Sequence, residues 1–101
     1  MIPTKSDISY TLKKISPYIH RTPVISSDRI NKIFNSSLYF KCENLQKAGV
    51  FKSRGAINAV FSLSDKECIN GVATHSSGNH AQALARAAKI KGIDSYIVMP
   101  E

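Results

Sequence analysis

The second half of the sequence alternates short runs that are typical of strands with longer runs that are typical of helices. The predicted strands lie at 38–42, 71–75 and 95–99, and the predicted helices between them at about 53–63 and 79–91. Strands that alternate with helices in this order favour a parallel sheet with right-handed crossover connections. We therefore expect an α/β fold in which ligands bind beyond the carboxyl ends of the strands.

Two further helices are expected before that sheet. Ser6 is a candidate N-terminal cap for a helix that ends before Pro17, because a proline ring disfavours helical geometry in the preceding residue. A shorter helix is expected to begin at Ser26 or Ser27. The first is interpreted as a packing helix.

Length and composition bound the class of protein. At 101 residues, with 43% hydrophobic and 21% charged residues, the chain is expected to form at most one globular domain. It contains no apolar run long enough to cross a membrane and no signal-peptide core. We therefore expect a soluble, cytoplasmic protein with no membrane partner.

An excess of basic residues raises the hypothesis of nucleic-acid binding. Fourteen Lys and Arg against seven Asp and Glu give a formal net charge of +7. These charges fall on different predicted elements and lack interleaved aromatic residues, which a nucleic-acid surface would favour. Nucleic acid is not an expected partner, and a small nucleotide- or nucleic-acid-binding α/β domain remains a distant alternative.

The stretch 41–58 places Lys52 directly before a predicted helix. A helix start carries partial positive charge, so it disfavours an ammonium group and relatively favours the neutral amine, which can attack a carbonyl. If Val50 and Phe51 also shield this amine partly from water, the neutral form is favoured further. A solvated first-turn lysine is the alternative, and the local pattern alone favours that alternative.

A second stretch, 74–82, follows a predicted strand and precedes an alanine-rich helix. It is rich in small hydrogen-bond donors, and the free backbone N–H groups at such a helix start bind anions. The chain therefore combines a candidate amine nucleophile with a candidate anion site.

Metal binding and disulfide formation are not expected. His75 and His80 have no further ligand at metal-binding spacing, and His20 is distant in the sequence. Cys42 and Cys68 form no close-set pair and are predicted to be reduced and buried.

Five segments together resemble the fold-type II pyridoxal-phosphate enzymes, specifically the serine racemase and threonine (serine) dehydratase group. The resemblance runs from about residue 22 to the end of the sequence, and the two central motifs are specific in combination. The matching segments are Arg21-Thr22-Pro23-Val24, Lys41-Cys42-Glu43-Asn44-Leu45-Gln46, Phe51-Lys52-Ser53-Arg54-Gly55-Ala56, His75-Ser76-Ser77-Gly78-Asn79-His80 and Tyr96-Ile97-Val98-Met99-Pro100. The resemblance implies a parallel-sheet fold like that of the tryptophan synthase β subunit.

The resemblance also implies roles for individual residues. Lys52 would form the Schiff base with pyridoxal 5'-phosphate and serve as one acid/base, with Phe51 and Asn79 as further cofactor-binding residues. Ser77 would supply the acid/base on the face opposite the lysine, as in the racemase branch. The substrate carboxylate would be held by a group of adjacent residues: Ser76, Ser77, Gly78, Asn79 and His80.

The implied reaction is the deamination of L-threonine or L-serine to a 2-oxo acid and ammonia, or the racemisation of serine. Val50 departs from the family pattern, because a small hydroxyl residue usually stands at that position. Arg54 is assigned no catalytic role and is expected to pair with a carboxylate or to pack by its stem.

The resemblance further implies that complete members of this group are about three times longer than this sequence, beyond one ordinary domain. Residues 1–101 are therefore interpreted as the N-terminal part of such an enzyme, with the cofactor-phosphate loop and a divalent-cation site expected in the remaining part. Full-length members are expected to be homo-oligomers. A truncated, catalytically inactive remnant of the family is the alternative.

Overall fold

The computed structural model describes residues 2–101. No helix within these residues combines the length and the apolar content needed to cross a bilayer. In chain order the helices and strands are α1 (Lys5–Ile15), β1 (Val24–Ile25), α2 (Asp28–Phe34), β2 (Phe40–Lys41), α3 (Lys52–Ser62), β3 (Val72–His75), α4 (Asn79–Lys91) and β4 (Ser95–Val98), with short 3-10 turns at Ser16–Tyr18, Glu43–Leu45 and Lys47–Gly49.

Helix α1 begins with a reciprocal cap between Thr4 and Asp7. The Asp7 backbone N–H donates to Thr4 Oγ1 at 3.3 Å, while the Asp7 carboxylate accepts from the Thr4 backbone N–H at 2.8 Å and from its hydroxyl at 2.6 Å. These bonds lower the pKa of Asp7. The prediction of Ser6 as the cap is therefore wrong, because Ser6 lies inside the first turn. The predicted end of the helix before Pro17 is confirmed.

Strands β1 and β2 pair antiparallel, with Val24 opposite Lys41 and Ile25 opposite Phe40. Next to this pair, the Cys42 N–H donates to the Pro23 carbonyl at 3.0 Å. The expectation that the 38–42 strand joins the parallel sheet is wrong, because its backbone groups are satisfied by the preceding extended segment. Helix α2 connects the two strands and is capped by Ser27, as predicted.

Strands β3 and β4 form the predicted parallel pair, and α4 is the connection between them. The register runs from Val72 opposite Ser95 to His75 opposite Val98. Gly71, directly before β3, has a φ of +76°, and a Cβ there would lie 2.4 Å from the Asp94 carbonyl oxygen. Glycine is therefore required where the two strands begin side by side.

Helices α3 and α4 pack against each other and form the core. Small side chains on α4 let the helices approach closely, and the larger Ile57 and Val60 on α3 fill the space between them. The buried cluster consists of Ile15, Val50, Ala56, Ile57, Val60, Ala83, Leu84 and Ala87. This core fixes the relative placement of the two helices that begin at the predicted site residues.

Candidate functional site

Lys52 is the first residue of α3, and its side chain is exposed. Its Nζ lies 5.3 Å from the centroid of the Phe51 ring, within the range of a cation–π contact. The two residues that could shield the amine differ in their surroundings. Val50 is only 7% exposed and belongs to the core cluster, whereas the Phe51 side chain is 55% exposed beside the amine.

The loop before Lys52 has an unusual backbone. Ala48 and Gly49 both adopt left-handed conformations, with φ of 58° and 65° respectively. A left-handed conformation costs a residue with a side chain about 1–2 kcal/mol. The approach to Lys52 is therefore strained at Ala48, and other interactions must hold it in place.

Two buried polar residues bind this loop from either side. Gln46 accepts hydrogen bonds at Oε1 from the backbone N–H groups of His20 at 2.7 Å and Lys47 at 2.9 Å, and its Nε2 donates to the His20 carbonyl at 2.8 Å. Ser53, which follows Lys52, donates from Oγ to the Lys47 carbonyl at 2.5 Å. The backbone of Lys47 is thus held at both its N–H and its carbonyl.

An ion pair joins the Glu43–Leu45 turn, which precedes this loop, to α3. Arg54 donates from Nε and Nη2 to the two carboxylate oxygens of Glu43 at 2.8 and 2.7 Å. The Thr22 hydroxyl donates to the same carboxylate at 2.5 Å. The Arg54 guanidinium, with help from Thr22 and the charge of Lys41, lowers the pKa of Glu43 to about 2. The expected carboxylate pairing of Arg54 is confirmed.

The second predicted motif forms the turn between β3 and α4. The Ser76 N–H donates to the Val98 carbonyl at 3.0 Å, which extends the parallel pairing by one bond. The Ser76 hydroxyl accepts from the Gly78 N–H at 3.4 Å, while Ser77, Asn79 and His80 are exposed. Within residues 2–101, no side chain caps the start of α4.

Helix α4 connects the two motifs. The Lys47–Gly49 turn contacts α4, and Val50 shares the buried cluster with Ala83 and Leu84 of that helix. No hydrogen bond joins the Lys52 side chain to the Ser76–His80 group within the part of the chain that the structure describes. The structure therefore brings the lysine loop onto the helix that begins at the predicted substrate-binding turn, and Lys52, Ser77 and Asn79 are exposed.

The polar residues that hold the loop were not predicted as a functional group. Thr22, Gln46 and Ser53 are all buried, with relative exposures of 4%, 4% and 1%. Each lies in a segment that carries the family resemblance, which was the available signal. Thr22 bonds to Glu43 and Gln46 bonds to His20, both distant in sequence, so no local pattern could have assigned these two partners.

Metal ligands do not converge in residues 2–101, where no three His, Cys, Asp or Glu side chains form a group that could hold an ion. Both cysteines are free thiols, with Cys68 buried and Cys42 partly exposed. Cys42 is therefore less buried than predicted, because it lies next to the short β2 strand rather than inside a sheet.

Comparison with known proteins identifies the family. The family model described as "Pyridoxal-phosphate dependent enzyme" matches residues 15–101. The chain belongs to this family. The predicted fold class is confirmed by the solved structure of maize serine racemase, which superposes with a TM-score of 0.91 at 52% identity over 95% of this chain and 30% of that one.

Curated relatives in the pyridoxal-phosphate dependent enzyme family include racemases and dehydratases. Serine racemase from Arabidopsis thaliana is 61% identical over 87% of this chain and 27% of that protein. A beta-hydroxyaspartate dehydratase from Paracoccus denitrificans is 52% identical over 98% of this chain and 31% of that protein. The chain thus spans about three tenths of the length of the curated relatives it matches.

Proposed function

We propose that this chain carries the cofactor lysine and the substrate-carboxylate turn of a pyridoxal-phosphate enzyme that acts on small 3-hydroxy amino acids. The reaction would be deamination of serine or threonine to a 2-oxo acid and ammonia, or racemisation of serine. The observation that carries the proposal is the exposed Lys52 at the start of α3, with its loop packed on the helix that begins at Asn79. Serine, threonine and hydroxyaspartate share the β-hydroxyl that elimination removes.

The residues present fit the cofactor that the family uses. Pyridoxal phosphate requires a lysine amine for its aldehyde and donors for its ring oxygen, and when bound it supplies an electron sink for charge at the substrate Cα. Lys52 is exposed and can reach an incoming aldehyde, while Asn79 offers an exposed amide donor. Phe51 lies beside the Lys52 amine and would contact the ring of a group bound there.

The Ser76–His80 group would bind the substrate carboxylate. The start of α4 has no capping side chain within residues 2–101, so its first N–H groups are available to an anion. The positive end of the helix dipole favours the same anion. Gly78 leaves the approach to these N–H groups free of a side chain, and His80 adds a ring nitrogen at the rim.

The two serines of the turn differ in their availability for proton transfer. The Ser76 hydroxyl accepts from the Gly78 N–H, whereas Ser77 is exposed. Racemisation needs a second acid/base at the Cα opposite Lys52, and Ser77 would supply it. Elimination can proceed with Lys52 alone. We therefore propose that Ser77→Ala abolishes racemisation and retains deamination, which an assay of D-serine and 2-oxo acid from the same L-serine reaction would test.

Binding of pyridoxal phosphate is the direct test of the proposal. The full chain is titrated with the cofactor, and the absorption band of lysine-bound cofactor is recorded near the edge of the visible range. Lys52→Ala is expected to abolish this band, whereas Lys89→Ala, on the exposed last turn of α4, is expected to retain it. A band that survives Lys52→Ala would contradict the assignment, and the absence of the band from the wild type would favour the inactive remnant.

Cytoplasmic location and homo-oligomer formation stay predictions.

A further inference from the structure

We propose that Gln46 and Ser53 form a polar clamp that positions Lys52, by holding the backbone of the 47–51 loop from both sides. This proposal rests on the proposed function, because it gives the clamp its purpose. Gln46 and Ser53 would be positioning residues rather than catalytic ones, since their side-chain bonds go to backbone groups.

The Gln46 side chain hydrogen-bonds to both backbone groups of His20, as a neighbouring strand would. Its carboxamide accepts from the His20 N–H at 2.7 Å and donates to the His20 carbonyl at 2.8 Å, while the same oxygen also accepts from the Lys47 N–H at 2.9 Å. A carboxylate of the same shape could accept these bonds but could not donate to the carbonyl. Because Gln46 is only 4% exposed, water cannot readily replace the lost bond.

The Ser53 side chain completes the clamp from the opposite end of the loop. Ser53 is 1% exposed, and its hydroxyl donates to the Lys47 carbonyl at 2.5 Å. Its backbone N–H donates to the Val50 carbonyl at 3.2 Å, which begins the helix. Since Ser53 directly follows Lys52, a bond from Ser53 to the loop fixes the chain direction at Lys52.

The strained loop explains why a clamp is needed. Ala48 is left-handed, and the Gly49 N–H donates to the Gln46 carbonyl at 2.8 Å to close a tight turn. A strained backbone persists only where the surrounding structure over-determines it. Helix α3 also begins without a capping side chain of its own. Without the clamp, the loop would relax and the first turn of α3, including Lys52, would lose its fixed position.

The test uses two variants of the clamp and two matched controls in the full chain. Gln46→Glu keeps the shape but loses the donor, and Ser53→Ala loses the hydroxyl. Gln82→Glu on the exposed side of α4 and Ser9→Ala on the exposed side of α1 make the same chemical changes elsewhere. Amide hydrogen exchange of residues 47–52 is measured relative to α4 in each protein.

Exchange at residues 47–52 is expected to accelerate about tenfold in both clamp variants, and not in the controls, as expected from the loss of a net hydrogen bond. Reductive trapping of pyridoxal phosphate at Lys52, mapped by mass spectrometry against Lys89 in the same molecule, is expected to slow by a similar factor. Unchanged exchange at 47–52 would overturn the clamp. Loss of protection throughout the chain in both variants would also overturn it, because the two residues would then stabilise the whole fold.

The two readouts separate the clamp from the proposed function. If the wild type traps the cofactor no faster at Lys52 than at Lys89, the proposed function fails. The exchange measurement still decides whether Gln46 and Ser53 hold the loop. If trapping at Lys52 is fast in the wild type and equally fast in both variants, the clamp does not position Lys52, and the proposed function stands.

Discussion

The starts of α1 and α2 differ from the starts of α3 and α4. Thr4 caps α1, and the Ser27 hydroxyl accepts from the Ile30 N–H at 3.4 Å to cap α2. Within residues 2–101, neither Phe51 at the start of α3 nor Gly78 at the start of α4 supplies a side-chain cap. A cap contributes about 1 kcal/mol. Side-chain caps therefore satisfy a first-turn N–H group in α1 and α2. In α3 the Ser53 and Arg54 N–H groups donate instead to the Val50 and Phe51 carbonyls at 3.2 Å each, so α4 is the helix whose first N–H groups our proposal assigns to a ligand.

Acidic residues in the first turn also distinguish α1 and α2 from α3 and α4. The first turns of α1 and α2 contain Asp7 and Asp28, which suit the positive end of the helix dipole. The first turns of α3 and α4 contain no acidic residue in the described chain, and α3 begins with Lys52 and Arg54 instead. The positive dipole ends of α3 and α4 are therefore not offset by an acidic side chain of their own first turns.

Placing an acidic residue at the start of α4, as at the starts of α1 and α2, should have the largest effect, which is on cofactor affinity. Asn79→Asp is isosteric and places a carboxylate where the helix dipole favours it by about 0.3–1 kcal/mol, so thermal stability should not fall. Affinity for pyridoxal phosphate should fall about a hundredfold, because the new charge repels the anionic groups of the cofactor and cannot donate a hydrogen bond. Absorbance titration measures the affinity, and thermal unfolding measures the stability.

The control for this variant is Gln82→Glu, the same chemical change one turn further along α4 at an exposed position. It should leave cofactor affinity nearly unchanged, because the helix-start effect fades within the first turn. Equal loss of affinity in both variants would mean that net charge, rather than the start of α4, governs binding.

Removing the negative charge of Glu43, which pairs with Arg54 on α3, should have the next largest effect, which is on the stability of the fold. Glu43→Gln leaves Arg54 without its carboxylate partner and should destabilise the fold by about 2 kcal/mol at neutral pH. In the wild type the pKa of Glu43 is lowered from 4.5 to about 2, so the pair contributes fully above pH 4.5 and loses its contribution as the pH falls toward 2. Urea unfolding at several pH values measures the difference between the two proteins.

The difference between wild type and Glu43→Gln should therefore shrink below pH 4.5 and become small near pH 2. Asp65→Asn, in an exposed turn, serves as a control for removing one negative charge and should change stability little. A wild-type advantage that stays constant from neutral pH to pH 2 would contradict an ionised Glu43 as its cause.

Local patterns predicted the elements that local residues determine. Helix α4 has its predicted bounds, since its start follows a turn of small residues and its end is set by Gly92, which is left-handed with a φ of 76°. The partner of β2 could not be predicted in this way. A two-residue strand has little pattern of its own, and contacts with Pro23, far back in the sequence, decide its pairing.

The candidate site likewise contains residues that could be predicted from the sequence and interactions that could not. The segments around Lys52 and Ser76 to Asn79 were found because their residues are adjacent in sequence and match a family. The hydrogen bonds of Gln46 were not predicted, because a bond to His20 depends on how distant segments meet. For Thr4 the signal was present in the Thr-x-x-Asp spacing, and Ser6 was the wrong choice between two nearby hydroxyls.

Removing the cap of α1 should have a smaller effect on stability and no effect on the candidate site. Thr4→Ala should destabilise the fold by about 1 kcal/mol, or about 5 °C in the unfolding midpoint, because the Asp7 N–H loses its acceptor. The rate of cofactor trapping at Lys52 should be unchanged, since α1 does not hold the loop. Ser6→Ala is the control and should have little effect; a larger loss than for Thr4→Ala would contradict the observed cap.

Relieving the strain before α3 should have the smallest effect and the opposite sign. Ala48→Gly removes a left-handed penalty of about 1–2 kcal/mol but increases the freedom of the unfolded chain by about 0.4–1 kcal/mol, so a net stabilisation of about 0.5 kcal/mol is expected in urea unfolding. Ala59→Gly, at an exposed position inside α3, makes the same change in a relaxed helix and should destabilise by about 1 kcal/mol. If both variants destabilise equally, Ala48 is not left-handed in solution. Opposite signs would mean that this chain holds backbone strain beside its lysine, whereas the capped starts of α1 and α2 are relaxed.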